Sequence, residues 1–521
     1  MRHFHREGTK HTKWCGNSCS REVRARSAKG ITAEAQRRRE IAERLSAPWR
    51  LCGWLAFGAT NFIIAGADFV VKWLFEAERC TKALIAALSC LAILTSSSAF
   101  ALDVHTVNLA KGQQVWYVSD RSLPVIAMSA AIPAGSAYDP TGKPGLAAFA
   151  AALLDQGAGR LNADAFQTAL ANRAIRLSVS CSRDWLIVSL LTLTDNAKDA
   201  FHLLGQALSQ PRFDADSVAR TKEQILSRMT EDGARPDRVA ADAFYGAFFH
   251  DHPYAHPISG NRAAVSAITA GDLKHFASAH WSGSGVRIAV SGDIDGPGLT
   301  VLLKSAFGRL ALRNPPAIPT AMHEGGAGVR DVPVPGPKSV AAFGLPGVLS
   351  ADRDYTAAYV ANFILAGSLS SILAGRDRSS FDSEVSMQLI TDRKAGFVLG
   401  EMTSQPSVMR KAITLLRGTL RDYAQDGLAQ AQLDDAKAAL TGAFPLAFDS
   451  DVATATHLNE YQRAGLGIDY VRKRNALISA VTLDQVKRAA KRLFNPSRLT
   501  VTIAEGQPPS RQSSAIDPQN R

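Results

Sequence analysis

The sequence predicts an α+β protein made of two homologous domains, each a largely antiparallel sheet packed with helices, joined by a Pro/Gly-rich linker. Three observations carry that prediction. A helix–turn–strand pattern occurs twice at a fixed offset, and a stretch rich in Pro and Gly separates the copies. No Gly-rich phosphate loop follows a strand, which argues against a parallel nucleotide-binding sheet.

Length and composition set the frame. The 521 residues suffice for several cores, and 46% hydrophobic with 20% charged residues excludes a disordered or fibrous chain. The formal charge of +12 is concentrated at the start, where residues 1–50 hold 13 Lys/Arg against 5 Asp/Glu. The remainder carries no concentrated basic field, so no nucleic-acid partner is expected.

Residues 1–78 form a basic and apolar leader whose translation in the cell the sequence leaves open. Residues 79–101 have the order of a secretory signal. Arg79 and Lys82 precede an apolar run, Ala83–Leu94, which is too short to span a bilayer; Thr95–Ser98 and the small-x-small site Ala99-Phe100-Ala101 follow. Export, to a bacterial periplasm, is the expectation, with no membrane span in the mature chain. An organellar transit peptide is opposed by Glu7, Glu22, Glu34, Glu40 and Glu43, and an anchor over Leu51–Phe75 is broken by Asp68 and Lys72. Cys15, Cys19, Cys52, Cys80 and Cys90 all precede the cleavage site, which leaves only Cys181 and no internal disulfide.

The mature chain divides into an N-terminal domain (102–312), the linker (313–337), a C-terminal domain (338–508) and a polar tail (509–521). The two domains read as copies. Ile268–Gly292 superposes on Val481–Glu505, with Leu273 on Val486, Ala277 on Ala490, and Trp281 on Phe494. Val286, Ile288 and Val290 then fall on Leu499, Val501 and Ile503. The first part of each copy has helical spacing and the second alternates like a half-buried strand. Further strands are predicted at Gln114–Ser119, Val125–Ala131, Arg176–Cys181, Leu186–Leu193 and Val340–Gly344, and a helix at Asp216–Met229. Cys181 is then a packed strand residue, and a nucleophile reading lacks a placed His.

The stretch Ala134–Gly157 (AGSAYDPTGKPGLAAFAAALLDQG) resembles the pitrilysin/insulinase family of zinc metallopeptidases. There a Gly-Ser turn, an Asp-Pro step and Gly-Leu lead into a helix bearing H-x-x-E-H. The resemblance extends over nearly all of 103–507. It includes Pro211-Arg212-Phe213-Asp214, His252-Pro253-Tyr254 with Gly260, Thr269 with Asp272-Leu273, Leu365-Ala366-Gly367, and Gly442-Ala443-Phe444-Pro445. It implies two α+β domains that close with a partner around a peptide.

The resemblance also implies where the chemistry would sit, and those positions are empty of it. The two zinc-binding histidines and the catalytic glutamate correspond to Ala148, Ala152 and Ala151, the third ligand to Arg228, and an assisting glutamate to Thr221. A methyl group has no lone pair for a metal, and hydrolysis needs a base for the metal-bound water. Leu146, Phe149, Leu153 and Leu154 keep core spacing in the helix, with Gly157 as its expected stop. A substrate-gripping Arg and Tyr pair in the second domain corresponds to Arg378 and Val385, so only the Arg is present.

The sequence thus predicts a non-catalytic homologue without a cofactor of its own, inactive alone, and serving as the substrate-enclosing or regulatory subunit of a heterodimeric zinc peptidase. Its partners would be an active sibling that carries the zinc and a peptide substrate. The alternatives are a stand-alone peptide-binding or structural subunit and, behind it, a metallopeptidase with a relocated site at His250, His252 and His256. Pro253 breaks the helical register that would align His252 with His256.

Overall fold

The computed structural model describes residues 102–109, 113–321, 328–376, 384–425 and 427–507. Its first sheet contains β1 (His105–Leu109), β2 (Gln113–Ser119), β3 (Val125–Ile132), β4 (Arg176–Cys181), β5 (Leu186–Leu193) and β6 (Arg287–Gly292), in the order β1-β2-β6-β3-β5-β4. The second contains β7 (Gly328–Pro335), β8 (Ser339–Pro346), β9 (Val385–Thr391), β10 (Gly396–Ser404) and β11 (Thr500–Gln507), in the order β7-β11-β8-β10-β9. Without β1 the two orders are the same. In each sheet one pair is parallel, β2 with β6 and β7 with β11, and every other pair is antiparallel.

The duplication extends to register and caps. Ile288 opposes Ala130 in the first sheet as Val501 opposes Phe343 in the second. The preceding helices, Ala270–His280 and Leu483–Leu493, both start at a threonine capping box, Thr269 with Asp272 and Thr482 with Gln485. Reciprocal side-chain and backbone bonds there satisfy donors that a helix N-terminus otherwise leaves unpaired.

The predicted linker differs from the structure. Residues 328–335 lie inside it yet form β7, which pairs along its length with β11. Pro333 and Pro335 are tolerated because β7 is an edge strand, where a missing N–H can face solvent. The second domain therefore begins about ten residues before position 338, and the strand missed in the sequence is the counterpart of β2.

The described part of the first half contains eight helices: α1 (Leu146–Ala152), α2 (Ala163–Ala171), α3 (Ala197–Ser209), α4 (Ala215–Gly233), α5 (Pro236–Phe249), α6 (Arg262–Ala267), α7 (Ala270–His280) and α8 (Gly296–Phe307). The described part of the second half adds α9 (Tyr355–Arg376), α10 (Pro406–Gln425), α11 (Gln430–Gly442), α12 (Asp451–Arg463), α13 (Tyr470–Ser479) and α14 (Leu483–Leu493). By length and composition α9 could cross a membrane, but Leu365, Leu369 and Leu373 are fully buried in the second core.

The halves exchange one helix each. Helix α5 of the first half packs across β11 and β8 of the second sheet, and α12 of the second half packs across β6 and β3 of the first. Phe248 and Phe249 of α5 lie against Phe397 of β10 at ring separations of 5.8 and 5.3 Å. Gly344 has no side chain because the Phe244 ring occupies that space. Buried polar contacts fix both exchanges. Thr502 Oγ1 donates to the Ala240 carbonyl at 2.7 Å, and Asn459 Nδ2 donates to the carbonyls of Ser129 and Arg287 at 3.2 and 2.8 Å.

Because each sheet is covered by a helix from the other half, urea unfolding is expected to give one transition, coincident by fluorescence and circular dichroism. Asn459→Ala should lower the stability of both halves together, by about 1–3 kcal/mol for the buried Ser129 carbonyl and the partly buried Arg287 carbonyl that lose this donor. Two separate transitions, or loss of structure confined to one half, would contradict the exchange.

Candidate functional site

The segment that resembles the zinc motif is built as a rigid entry to α1. The Gly-Ser turn docks on the β4–β5 hairpin: Gly135, Ser136 and Ala137 donate their backbone N–H groups to the carbonyls of Asp184, Ser182 and Arg183 at 3.2, 3.0 and 2.8 Å. Asp139 accepts from the N–H groups of Gly145 and Ala147, both at 2.7 Å, and so caps the first turn of α1. Gly145 adopts φ +94°, and its Cα lies against Gly260, so that a side chain on either would strike the other's loop. Lys143 pairs with Asp272 and ties this entry to the start of α7; the ammonium holds that carboxyl down to about 2.

Helix α1 keeps its core and lacks its chemistry. Leu146, Phe149, Leu153 and Leu154 are all buried. The helix ends at Ala152 with Leu153 as C-cap, earlier than the expected stop at Gly157, which instead lies beyond a turn at φ +111°. Ala148 is half-buried, Ala151 buried and Ala152 exposed. Helix α4 packs against α1, and it carries buried Thr221 and exposed Arg228. Three methyls and a guanidinium contain no donor for a divalent ion, so the residues present do not fit the zinc that the family fold implies.

The histidine cluster is not brought together as a ligand set. His252 bridges the Pro319 carbonyl at Nε2 (2.9 Å) and the Tyr254 N–H at Nδ1 (3.1 Å), while His256 Nδ1 faces the Pro257 carbonyl. Among the described residues no group of three His, Cys, Asp or Glu side chains could hold a metal ion. Arg378 lies outside the described residues, as do the signal segment 79–101, the leader and the tail; Val385 opens β9 and is buried. Cys181 is free, and burial, with Asp139 nearby, pushes its thiol up to about 12, far from the thiolate a nucleophile needs.

Sequence reasoning missed a polar junction at the meeting of the two halves. The β4–β5 turn (Ser182–Trp185) and its counterpart between β9 and β10 (Asp392–Ala395) come together there. Asp184 accepts from the Tyr254 hydroxyl at 2.6 Å and from the Arg393 N–H at 2.9 Å. Arg393 Nη1 donates to the Tyr138 hydroxyl at 2.9 Å, and the Lys394 N–H to Tyr254 at 3.3 Å. Arg183 lies 3.3 Å from the Tyr245 ring centre and donates to the Tyr254 carbonyl at 3.1 Å. The signal was available: both turns carry Arg at matching places in the duplication, and Tyr254 belongs to the loop read for histidines.

The description "Insulinase (Peptidase family M16)" matches residues 114–262, and "Peptidase M16 inactive domain" matches 267–440. The chain belongs to peptidase family M16, and it is a non-catalytic member of that family. It is 23% identical over 416 residues to a protein of Helicobacter pylori named "Non-peptidase homolog YmxG", covering 79% of this chain and 96% of that one. An uncharacterised zinc protease of Mycobacterium bovis is 24% identical over 307 residues, covering 57% of this chain and 69% of the relative. A solved peptidase M16 inactive domain from Pseudomonas fluorescens matches with a TM-score of 0.72 at 23% identity, over 78% of this chain and 99% of that one.

Two experiments probe this region. Protein dialysed against zinc-free buffer is expected to hold far less than one zinc per chain by elemental analysis. The triple variant Ala148→His/Ala151→Glu/Ala152→His should bind weakly, and adding Arg228→Glu should tighten it at least about tenfold, since a ligand replaces a repelling cation. Equal affinity of the triple and quadruple variants would show that Arg228 does not face the site.

The junction predicts a pH effect. Burial and neighbouring Asp184 push the Asp392 carboxyl up to about 6, against the pull of Arg183 and Arg463. Below the ordinary carboxyl pKa both folded and unfolded forms are protonated and the group costs nothing. As pH rises to about 6 only the unfolded form ionises freely, so stability is lost, and above that the whole cost remains. Asp392→Asn should therefore be more stable than the parent at pH 8, by about 3 kcal/mol, with the gap closing near pH 4 in parallel denaturant titrations.

Proposed function

We propose that this chain is the non-catalytic subunit of a heterodimeric zinc peptidase, exported to the periplasm, where it completes the chamber around a peptide held by an active sibling. The sibling supplies the zinc and the H-x-x-E-H helix; this chain takes no cofactor. The observation that carries the proposal is the contrast around one helix. Asp139, Gly145, Gly260 and the Lys143–Asp272 pair preserve the shape of the motif, while Ala148, Ala151, Ala152 and Arg228 remove its chemistry. Keeping the shape without the metal supports a role in assembly and enclosure, where aligning a peptide reduces the entropy lost on the way to its transition state.

A second reading, a stand-alone peptide-binding or structural subunit, is favoured by buried Val385 at the position corresponding to the gripping Tyr. Co-expression with an M16 sibling that retains both histidines and the glutamate separates the two. A 1:1 complex by light scattering, with peptide hydrolysis faster than that of the sibling alone, is the expected result. A chain that stays monomeric beside the sibling and leaves its rate unchanged would overturn the heterodimer and leave the second reading.

A further inference from the structure

A cavity of about 780 Å³ opens beside the polar junction, lined mainly by the second half with Ser182 and Trp185 contributed by the first. Its volume falls within the range of small-molecule sites. Four tyrosines form much of the wall, Tyr355 and Tyr359 from α9, Tyr461 from α12 and Tyr470 from α13. Tyr461 and Tyr470 meet edge to face at 5.1 Å, and Tyr355 and Tyr359 lie 6.5 Å apart. Such a lining favours a flat or branched apolar body.

The charges on the wall differ in how they are matched. Glu460 is paired with His457 at 3.0 Å and with Arg463 at 3.8 Å. Asp392 lies in the field of Arg183 and Arg463. Arg474 is 8% exposed and has no carboxylate partner among the described residues. Its guanidinium is held by neutral groups: Nη1 donates to the Leu440 carbonyl at 3.1 Å and to Asn475 Oδ1 at 3.3 Å, Nη2 approaches the Tyr359 hydroxyl at 3.4 Å, and the plane lies 4.4 Å from the Phe444 ring centre. A buried cation without an anion is costly unless a counter-charge arrives, and a planar guanidinium suits a carboxylate.

We propose that this cavity binds a monocarboxylate with an apolar or aromatic body, the carboxylate on Arg474 and the body among Tyr355, Tyr359, Tyr461 and Tyr470. The same chemistry is offered by a free aryl acid and by the C-terminal residue of a peptide. The site needs no partner chain and no metal, so it is independent of the heterodimer.

Isothermal titration of the full chain with N-acetyl-L-phenylalanine and with its carboxamide tests it. The acid should bind, and the carboxamide should bind at least about tenfold more weakly, the loss of one charge-assisted contact. Arg474→Gln should abolish the preference. Because Arg474 also holds the Leu440 carbonyl, Ala443→Trp provides an independent block at the exposed part of the wall: binding should be lost with the melting temperature unchanged. Tighter binding of a decapeptide ending in Phe than of its amidated form would identify a peptide end as the source, and binding of the small acids alone a free acid. Equal binding of acid and carboxamide, no binding at roughly 10 mM acid, or binding untouched by Ala443→Trp would overturn the site.

Discussion

Each sheet of this protein is closed by a helix that the other half supplies, and most other features depend on that exchange. A sheet with one face uncovered would expose a row of apolar side chains to water, so neither half can complete its core alone. Helix α5 brings Phe244, Phe248 and Phe249 to the second sheet, and α12 brings Leu458 and Asn459 to the first. The polar bonds beneath the helices add direction to a nonspecific apolar contact, with Thr502 reaching the Ala240 carbonyl and Asn459 those of Ser129 and Arg287.

The exchange brings the two hairpin turns face to face, and the segment that elsewhere in the family carries zinc rests on one of them. Gly135, Ser136 and Ala137 hang from the β4–β5 turn, whose Asp184 is held in turn by Tyr254 and the Arg393 N–H. Much of what resembles a catalytic motif is therefore bracing between the halves. Loss of the ligands need not loosen it, because Ala148, Ala151 and Ala152 make none of those bonds.

Features legible in the sequence were those set by local periodicity and by repetition: the strands, the helix–turn–strand copies and the family resemblance. Side-chain identity at four positions also sufficed to remove the metal chemistry, because donor atoms are a property of the residue type. What stayed hidden depends on distant pairing. Gly328–Pro335 looks like a linker because its two prolines suit an edge, and only β11 beside it makes it a strand. The loop at His250–His256 attracted attention for its imidazoles, yet its structural weight falls on Tyr254, whose partner Asp184 lies in another hairpin. Arg474 gave no sequence signal, since its meaning rests on the absence of a nearby carboxylate.

The cavity around Arg474 and the emptied zinc position differ in kind. At α1 methyls stand where the resemblance places metal ligands, and a methyl needs no polar partner whether buried, as at Ala151, or exposed, as at Ala152. At the cavity a full charge has been kept under cover, braced by carbonyls and aromatic faces that cannot neutralise it. Burying such a charge opposes folding, whereas an apolar side chain of similar length would fill the space without that cost. The arginine is therefore better explained by what enters the cavity than by the stability of the fold. On this view Arg474 is a buried cation without a carboxylate partner among the described residues, held where a ligand can reach it.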